Sequence, residues 1–372
     1  MLKTPAKTLS AWLGEHTGLS RTRSETLSWL VVQMARVGTV SLWRLAPHMT
    51  SSARIRSVHR RLERFFQYVR LDSGSVARLI VRIMKLQGSP WRLVLDRTNW
   101  KLGKCPLNIL VLGVLHEGIC IPLFWVVRHK AGNSNVPERI DLLQRLRDCF
   151  PGQPISCLIG DREFVGERWM SWLKGAGIPF VLRVKDNIHI WHENHEPVKL
   201  SHKLSELRMR EKAFLKGKWY LGLIENAAGP GVRIAALRLK TGKLLILATT
   251  VHPRTALGLY RQRWGIETLF SCMKTRGLNL EATHMTQPEK LATLMSIAAL
   301  GFCAAYKTGL NIARRVTLPI KSHGRRERSI FALGINALRK TMAGLQWPQI
   351  SIYFKRLFSA RTPLHYFIFA GL

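Results

Sequence analysis

Four residues with chemically useful side chains stand at regular intervals in the C-terminal half of the chain. They are Tyr260, Arg263, Glu267 and Lys274. The apolar spacing of residues 253–274 predicts one helix, and at about 100° per residue all four side chains would lie within about 60° of one another. The neighbouring sector of that helix is apolar and contains Leu259, Ile266, Leu269, Phe270 and Met273. The spacing therefore predicts a phenol, a carboxylate and two cations along the edge of a buried helix face. The alternative is an ordinary i,i+4 ion pair between Arg263 and Glu267.

Two aspartates end apolar segments that have the composition of strands. Asp96 closes the run LVLD, and Asp161 closes the run CLIGD. Acidic residues are scarce here, with 22 Asp and Glu in 372 residues, so each one placed against apolar sequence is informative. The carboxyl ends of strands are where α/β sheets place functional groups. A turn or helix-capping role is the alternative for either aspartate.

The three carboxylates together suggest a specific chemistry. Phosphodiester cleavage and transfer proceed well on two divalent cations that activate the attacking oxygen and stabilise the leaving oxygen. Mg²⁺ prefers hard oxygen ligands, and Asp96, Asp161 and Glu267 would supply them. Arg263 and Lys274 would then hold phosphates, while Tyr260 would hydrogen-bond a phosphate or pack on a sugar.

The charge balance points to a polyanionic partner. The chain has 58 Lys and Arg against 22 Asp and Glu, a net charge of +36. The excess is spread over the whole length, which favours nucleic acid as the partner and an anionic membrane surface as the second choice.

The N-terminal region is predicted to be helical. Residues 26–37 have helical apolar spacing, and a second helix is predicted over residues 53–69 with cap candidates Ser51 and Ser52. The apolar stripe of the second helix consists of Ile55, Val58, Leu62, Phe65 and Val69. Its other side carries Arg54, Arg56, Arg60, Arg61 and Arg64. These arginines form either a solvated face or a phosphate-binding surface.

The middle of the chain is predicted to be an α/β core with a mixed sheet. Strands are expected at 92–96, 107–115, 119–128, 155–160, 179–184 and 244–250, with helices from Pro137 and over 166–175. The alternation fails between residues 185 and 243, where short strand candidates predict a β-rich insertion. Helices follow at 253–274, 288–307 and 329–342.

Compartment and membrane association are also addressed by the sequence. The N-terminus lacks the apolar run of a secretory signal, and the apolar stretch at 291–306 is too short and interrupted for a membrane span. The cysteines lie mainly in apolar runs without a C-x-x-C pair. We interpret them as core residues of a reduced, cytoplasmic protein.

The pattern of motifs resembles one known family. The spacing Tyr260-x2-Arg263-x3-Glu267-x6-Lys274 matches the Y-R-E-K signature of bacterial cut-and-paste transposases of the insertion-sequence family numbered four. The family's local sequences are also similar to DRTNW at 96–100, DREF at 161–164, RWGIETLF at 263–270 and KSHGRRERSIFALG at 321–334. The segments occur in the family's order, and the resemblance covers most of the chain.

This resemblance implies a fold and a division of the chain. It implies a ribonuclease-H-like core with a β-rich insertion between the second Asp and the Glu. The expected regions are a helical DNA-binding domain at 1–88, the core at 89–187 and 244–317, the insertion at 188–243, and a basic helical region at 318–372.

The resemblance also implies roles for residues. Asp96, Asp161 and Glu267 would be the catalytic, metal-binding triad for two Mg²⁺ ions, with Mn²⁺ as a substitute. The expected DNA-binding residues are Tyr260, Arg263, Lys274, Arg162 and Trp219. Of these, Trp219 is the candidate platform for a base flipped out near the cleavage site. We expect Trp264, inside the signature, to serve in packing.

The implied reaction is excision by nicking at the 3′ ends, a hairpin at each element end, hairpin opening and strand transfer. The implied partners are double-stranded DNA, as element ends and target, and a second copy of the chain in a homodimer. The expected location is the bacterial nucleoid.

Three other functions are compatible with parts of the sequence. A ribonuclease-H-like nuclease without rejoining needs the carboxylates but not the Y-R-E-K row. A non-catalytic DNA-binding repressor would use the arginine-rich helices but not the acidic triad. A peripheral membrane protein would use the charge, but the sequence shows no amphipathic terminal anchor.

Overall fold

The computed structural model describes residues 8–49, 52–102, 104–129, 132–192, 195–222, 230–322 and 326–359. Ser51, a predicted helix cap, and Arg325, part of the basic stretch near the C-terminus, lie outside these residues.

The helices group at the two ends of the chain and around the sheet. In chain order they are α1 (Leu9–Thr17), α2 (Arg21–Gln33), α3 (Leu42–Leu45), α4 (Ile55–Tyr68), α5 (Ser73–Met84), α6 (Val136–Cys149), α7 (Glu167–Gly175), α8 (Leu200–Lys203), α9 (Pro253–Arg261), α10 (Trp264–Met273), α11 (Pro288–Ala313), α12 (Ile330–Ala343) and α13 (Trp347–Ser359). The N-terminal region is helical, as predicted.

The strands form one continuous sheet. They are β1 (Trp91–Leu102), β2 (Cys105–His116), β3 (Ile119–Arg128), β4 (Ile155–Gly160), β5 (Phe180–Val184), β6 (His189–His192), β7 (His195–Lys199), β8 (Lys212–Leu221), β9 (Val232–Arg238) and β10 (Leu244–Thr249). Their spatial order is β3-β2-β1-β4-β5-β10-β9-β8-β6-β7.

The first half of that order is the ribonuclease-H-like arrangement. Strands β1, β2 and β3 form an antiparallel meander, and β4 and β5 then add in parallel beside β1. This confirms the predicted fold class. The strands between the second Asp and the Glu extend the sheet, because β10 pairs antiparallel with β5 and carries β9 and β8 on its outer edge.

Strand β1 is longer than predicted. The sequence prediction ended it at Asp96, where the apolar run stops, but the strand continues to Leu102. Its second half pairs antiparallel with β2, from Arg97 opposite Leu110 to Leu102 opposite Cys105. Backbone pairing in a tight hairpin holds this half in place without a continuous apolar run.

The predicted helix over 253–274 is two helices, and that prediction was wrong. α9 ends at Arg261 and α10 begins at Trp264. Between them, the backbone N–H groups of Gln262 and Arg263 donate to the carbonyls three residues earlier, as in a 3-10 turn. The tighter turn rotates α10 relative to α9, so angles calculated for one continuous helix do not hold. One consequence is that Trp264 is 66% exposed, which contradicts its predicted packing role.

Close packing of α10 against the β2–β3 hairpin depends on Gly265. A Cβ added to Gly265 would lie 2.9 Å from the Leu115 side chain and 3.1 Å from the backbone nitrogen of Cys120. A side chain at this position would therefore push the start of α10 away from the sheet.

We expect Gly265→Ala to lower the free energy of unfolding by about 1–2 kcal/mol, because the added methyl group overpacks this contact. Gly258→Ala is the matched control, since a Cβ at Gly258 in α9 would meet nothing within 4 Å. The control should gain up to about 1 kcal/mol from helix propensity. Urea unfolding measures both, and a stabilised Gly265→Ala variant would contradict this packing.

The helical part of the core centres on α11. This helix is long and apolar enough to cross a membrane, but 94% of its apolar stretch is buried inside the protein, as in the predicted buried helix. Among the described residues it packs against α12, α5, α2 and β3.

Two further details test the sequence predictions. Ile55, placed in the apolar stripe of the second helix, is 47% exposed, because it is the first residue of α4 and lies beyond the packed turns. Val58, Leu62 and Phe65 are buried as predicted. The cysteines are free thiols, and Cys120, Cys157, Cys272 and Cys303 are buried.

Candidate active site

The register of the sheet brings Asp96 and Asp161 side by side. β1 and β4 run parallel, and their last paired residues are Leu95 and Gly160. The residue after each partner is an aspartate. Both carboxylates therefore lie where the parallel ladder ends, which is the position that the sequence predicted for them.

Asp96 is a poorly solvated carboxylate. Its side chain is 15% exposed, and its Oδ1 accepts a hydrogen bond of 2.8 Å from the backbone N–H of Arg97. Burial raises the pKa of Asp96 to about 6, although the Arg263 guanidinium acts to lower the pKa. The negative charges of Asp161 and Glu163 also raise it. Loss of solvent around the carboxylate is therefore the main reason that the pKa of Asp96 is raised.

Asp161 lies at the start of a short 3-10 turn over Arg162–Phe164. Its Oδ1 accepts a 2.8 Å hydrogen bond from the backbone N–H of Arg162 and a 3.2 Å hydrogen bond from the Tyr260 hydroxyl. The Arg183 guanidinium on β5 is 3.7 Å away. Burial raises the pKa of Tyr260 to about 12, so the phenol is a hydrogen-bond donor at neutral pH.

Arg263 joins the other two carboxylates. Its Nη1 lies 2.7 Å from Oδ2 of Asp96, and its Nη2 hydrogen-bonds Oε1 of Glu267. The guanidinium is 11% exposed and stacks over the Tyr260 ring with a distance of 5.6 Å to the centroid. One arginine and one tyrosine thus connect all three carboxylates, from Asp161 through to Glu267.

The carboxylate oxygens are suitable ligands for divalent cations. In this structure, however, the Arg263 guanidinium is the cation that pairs with Asp96 and Glu267. Carboxylate oxygens are the ligands that Mg²⁺ prefers, and the mutual repulsion of Asp96 and Asp161 favours an added cation. Among the described residues, however, no three His, Cys, Asp or Glu side chains are placed to share one ion. Asp96 and Glu267 both face the same guanidinium instead.

Lys274, at the end of α10, contacts β1 at a point farther along the strand than Asp96. Its Nζ donates to the carbonyl of Asn99 at 3.1 Å and forms an ion pair of 2.9 Å with Glu281. It also lies 5.2 Å from the centre of the Trp100 ring. The structure therefore places Lys274 beside the carboxylates along the strand and not in direct contact with them.

The remaining predicted site residues are placed differently. Arg162 is exposed next to Asp161. Trp219, on β8, is 6% exposed, with its indole N–H donating to the Lys216 carbonyl at 2.9 Å and Lys203 lying over the ring. In this conformation a base cannot stack on Trp219, because the indole face is covered.

Sequence reasoning did not identify a role for Arg97 and Glu163. Arg97 forms an ion pair with Glu163, donates to the Gly132 carbonyl at 2.7 Å and donates to the Asn133 side chain at 3.0 Å. This network ties the end of the parallel ladder to the loop before α6. The available signal was that each of the two aspartates is followed directly by an arginine, in DR at 96–97 and DRE at 161–163, where Glu163 adds a further carboxylate.

We expect Glu163→Ala to lower the free energy of unfolding by about 2–3 kcal/mol, because the poorly exposed Arg97 guanidinium would lose its charged partner. Glu25→Ala is the control, since the Arg21–Glu25 pair is largely exposed and such pairs contribute less than about 1 kcal/mol. Urea unfolding of both variants measures the difference. Equal losses would show that the Arg97–Glu163 pair does not brace the site.

Comparison with known proteins gave one family and several distant folds. Residues 110–303, just over half of the chain, match the family described as "Transposase DDE domain". The matched segment includes Asp161, Tyr260, Arg263, Glu267 and Lys274 and begins after Asp96. The sequence matched no curated protein.

Solved structures were also compared. A piggyBac transposase in a synaptic complex with hairpin DNA is 12% identical, with a TM-score of 0.43, over 93% of this chain and 78% of that one. Human endonuclease V is 18% identical, with a TM-score of 0.28, over 60% of this chain and 94% of that one. The catalytic domain of human endonuclease V is 17% identical, with a TM-score of 0.29, over 58% and 93%.

Proposed function

Because the chain belongs to the transposase DDE domain family and is therefore a DNA transposase, we propose that it cuts at the terminal inverted repeats of an insertion sequence and joins the 3′ ends to target DNA. Family membership makes it an enzyme with nuclease and strand-transfer activity whose partner is DNA. The observation that carries the finer proposal is the connected cluster in which Arg263 contacts Asp96 and Glu267 while Tyr260 contacts Asp161.

In this proposal Asp96, Asp161 and Glu267 are the catalytic carboxylates and hold two Mg²⁺ ions, with Mn²⁺ as a substitute. Bound there, the ions would activate the attacking oxygen and stabilise the leaving oxygen of the phosphodiester. The cluster supports this assignment because its carboxylates converge from two parallel strands and a helix, and because a bound cation would stabilise the poorly solvated charge of Asp96.

Arg263 has to release Asp96 and Glu267 before both carboxylates can serve as metal ligands. A DNA phosphate is the natural new partner for its guanidinium, since both are suited to paired, charge-assisted hydrogen bonds. Arg263 would then pass from the carboxylates to the substrate when DNA enters, and Tyr260, stacked against it, would guide that movement.

The other assignments rest on the signature and on position. We propose that Lys274 and the exposed Arg162 bind phosphates on either side of the carboxylates. Trp219 remains the candidate for stacking on a flipped base only with a rearrangement of the insertion, because its ring is covered in this structure. Because the chain has 12 tryptophans, the conformational test compares the fluorescence change on DNA binding in the unaltered protein with that in Trp219→Phe, which should lose part of the change.

The Y-R-E-K spacing supports membership of the insertion-sequence family numbered four and, with it, a hairpin intermediate. We further propose action as a homodimer on the bacterial nucleoid in the cytoplasm, and the domain division at residues 88, 188, 244 and 318. Helices up to α5, the sheet core and the strands β6–β9 are compatible with that division.

We expect Asp96→Ala, Asp161→Ala and Glu267→Ala each to reduce Mg²⁺-dependent nicking by more than about 100-fold. Losing only a hydrogen-bond partner of a metal ligand typically costs about 10- to 100-fold, and these residues would be the ligands themselves. Asp186→Ala, at an exposed position, is the control. Nicking of labelled element ends is the assay. Retained cutting by any of the three variants would remove that residue from the site. If the protein only binds DNA, no nicking will be seen and the three substitutions will leave its DNA binding unchanged.

We expect Arg263→Ala and Lys274→Ala to weaken binding to element ends and to reduce its salt dependence. Each lost phosphate contact should lower the slope of log K against log salt by about 0.9. Lys240→Ala, an exposed cation in the β9–β10 turn, is the control and should leave the slope unchanged. Fluorescence anisotropy across a salt series measures the slope. Unaltered slopes would contradict the phosphate-binding role.

A further inference from the structure

Two adjoining cavities form a cationic surface outside the candidate active site. A cavity of about 680 Å³ lies between α5, α1 and the end of α13. A second, of about 590 Å³, lies between the start of β1, the β2–β3 turn and the α9–α10 turn. Lys85 lines both. We call the two together the basic trough and define it by Arg78, Arg82, Lys85, Arg92 and Arg261.

The trough carries a net positive charge. All five of its defining side chains are exposed cations. Among the described residues that line the two cavities, Glu117 is the one acid, and it forms an ion pair of 3.2 Å with Arg314. Arg78 also forms an ion pair of 3.7 Å with Asp72, which lies outside the lining of the two cavities, and the trough keeps an excess of positive charge.

The surroundings of Arg82 and Lys307 show how positive charge accumulates at the trough. Arg82 lies 2.6 Å from Nε2 of His16, whose Nδ1 faces the carbonyl of Trp12, so its neighbour is an imidazole and not a carboxylate. Behind the trough, the buried Nζ of Lys307 has no hydrogen-bond partner among the described residues. Burial, and then the charge of Lys85, lower the pKa of Lys307 to about 8. Both features favour an added anion.

The spacing of the cations suits a repeating polyanion. Arg78 and Arg82 are four residues apart on one face of α5, and Lys85 is the capping residue directly after the helix, so the three cations extend over roughly 10 Å. A DNA duplex presents about one negative charge per 1.7 Å of its axis, or about six charges over that length. A row of cations along a helix matches a linear array of phosphates better than it matches a small ligand.

The trough also leads toward the carboxylates. Arg92 is four residues before Asp96 on β1, about 13 Å along the strand. Its Nη1 donates to the side chain of Gln262 at 2.6 Å, and Gln262 is next to Arg263. The wall at this end carries the exposed ring of Trp264, which offers an apolar surface between the cations.

We propose that the basic trough binds the sugar-phosphate backbone of double-stranded DNA that extends away from the phosphodiester being cut. The direction of that DNA rests on the proposed function, because it takes the carboxylates as the cutting site. The contacts are to phosphates, so they position the duplex without sequence preference. An acidic protein segment is the competing occupant.

The test is a triple variant with three neutralised trough cations, Arg82→Gln, Arg92→Gln and Arg261→Gln. Its matched control is Lys174→Gln, Lys240→Gln and Lys243→Gln, which removes the same charge from exposed positions elsewhere. Binding of each full-length protein to a 30-base-pair duplex of arbitrary sequence is measured by anisotropy over a salt series. The trough variant should lose about 2 to 3 in the slope of log K against log salt, and the control should lose less than 1.

An unchanged slope in the trough variant would overturn the proposal, as would an equal loss in the control, which would show an effect of total charge alone. Polyglutamate is the probe for the competing occupant. Loss of polyglutamate binding together with an unchanged DNA slope would assign the trough to an acidic protein segment and also overturn it. The nicking assay on Asp96→Ala reports separately on the proposed function, so the two can fail independently.

Discussion

The structure is organised around carboxylates that the sheet holds close together in a poorly solvated position. Parallel pairing of β1 and β4 leaves Asp96 and Asp161 adjacent at the end of the ladder, and α10 adds Glu267. Arg263 offsets part of this charge, yet the pKa of Asp96 stays near 6 because the carboxylate is poorly solvated. Such a site is stable only while a positive group occupies it, whether a guanidinium or a metal ion. The packing of Gly265 and the Arg97–Glu163 pair keep the groups in place.

Much of this arrangement follows from local sequence. Apolar runs bounded by turn residues located the strands of the core, and an aspartate at the end of such a run, as at Asp161, marked the end of the sheet where the carboxylates meet. Two features depend on tertiary contacts and were missed. Close packing of α10 on the β2–β3 hairpin accompanies the break between α9 and α10, and the extension of β1 beyond Asp96 depends on pairing with β2. Arg183 was missed because its proximity to Asp161 arises only when β5 joins β4.

For the charge of the chain as well, the sequence predicts one part and tertiary contacts determine the other. A net charge of +36 predicted a nucleic-acid partner, and membership of the transposase family agrees with it. Composition does not show where the charge gathers. Arg82, Arg92 and Arg261 come from three separate elements, and only the packing of α5 against the sheet and the α9–α10 turn makes them neighbours. The covered ring of Trp219 is a similar case, because a tryptophan in a β-rich segment gives no sign of which face is free.

The order of the catalytic groups along the polypeptide has a consequence for biosynthesis. The contact between Asp96 and Arg263 spans 167 residues, so the site cannot assemble until α10 has left the ribosome. At about 5–20 residues per second, the interval between the two is roughly 10 to 30 seconds. During that time the nascent chain already carries the arginine-rich α4 and α5, while Asp96 still lacks its partner Arg263. A chain that terminates before α10 therefore lacks Arg263 and Glu267 and cannot assemble the cluster.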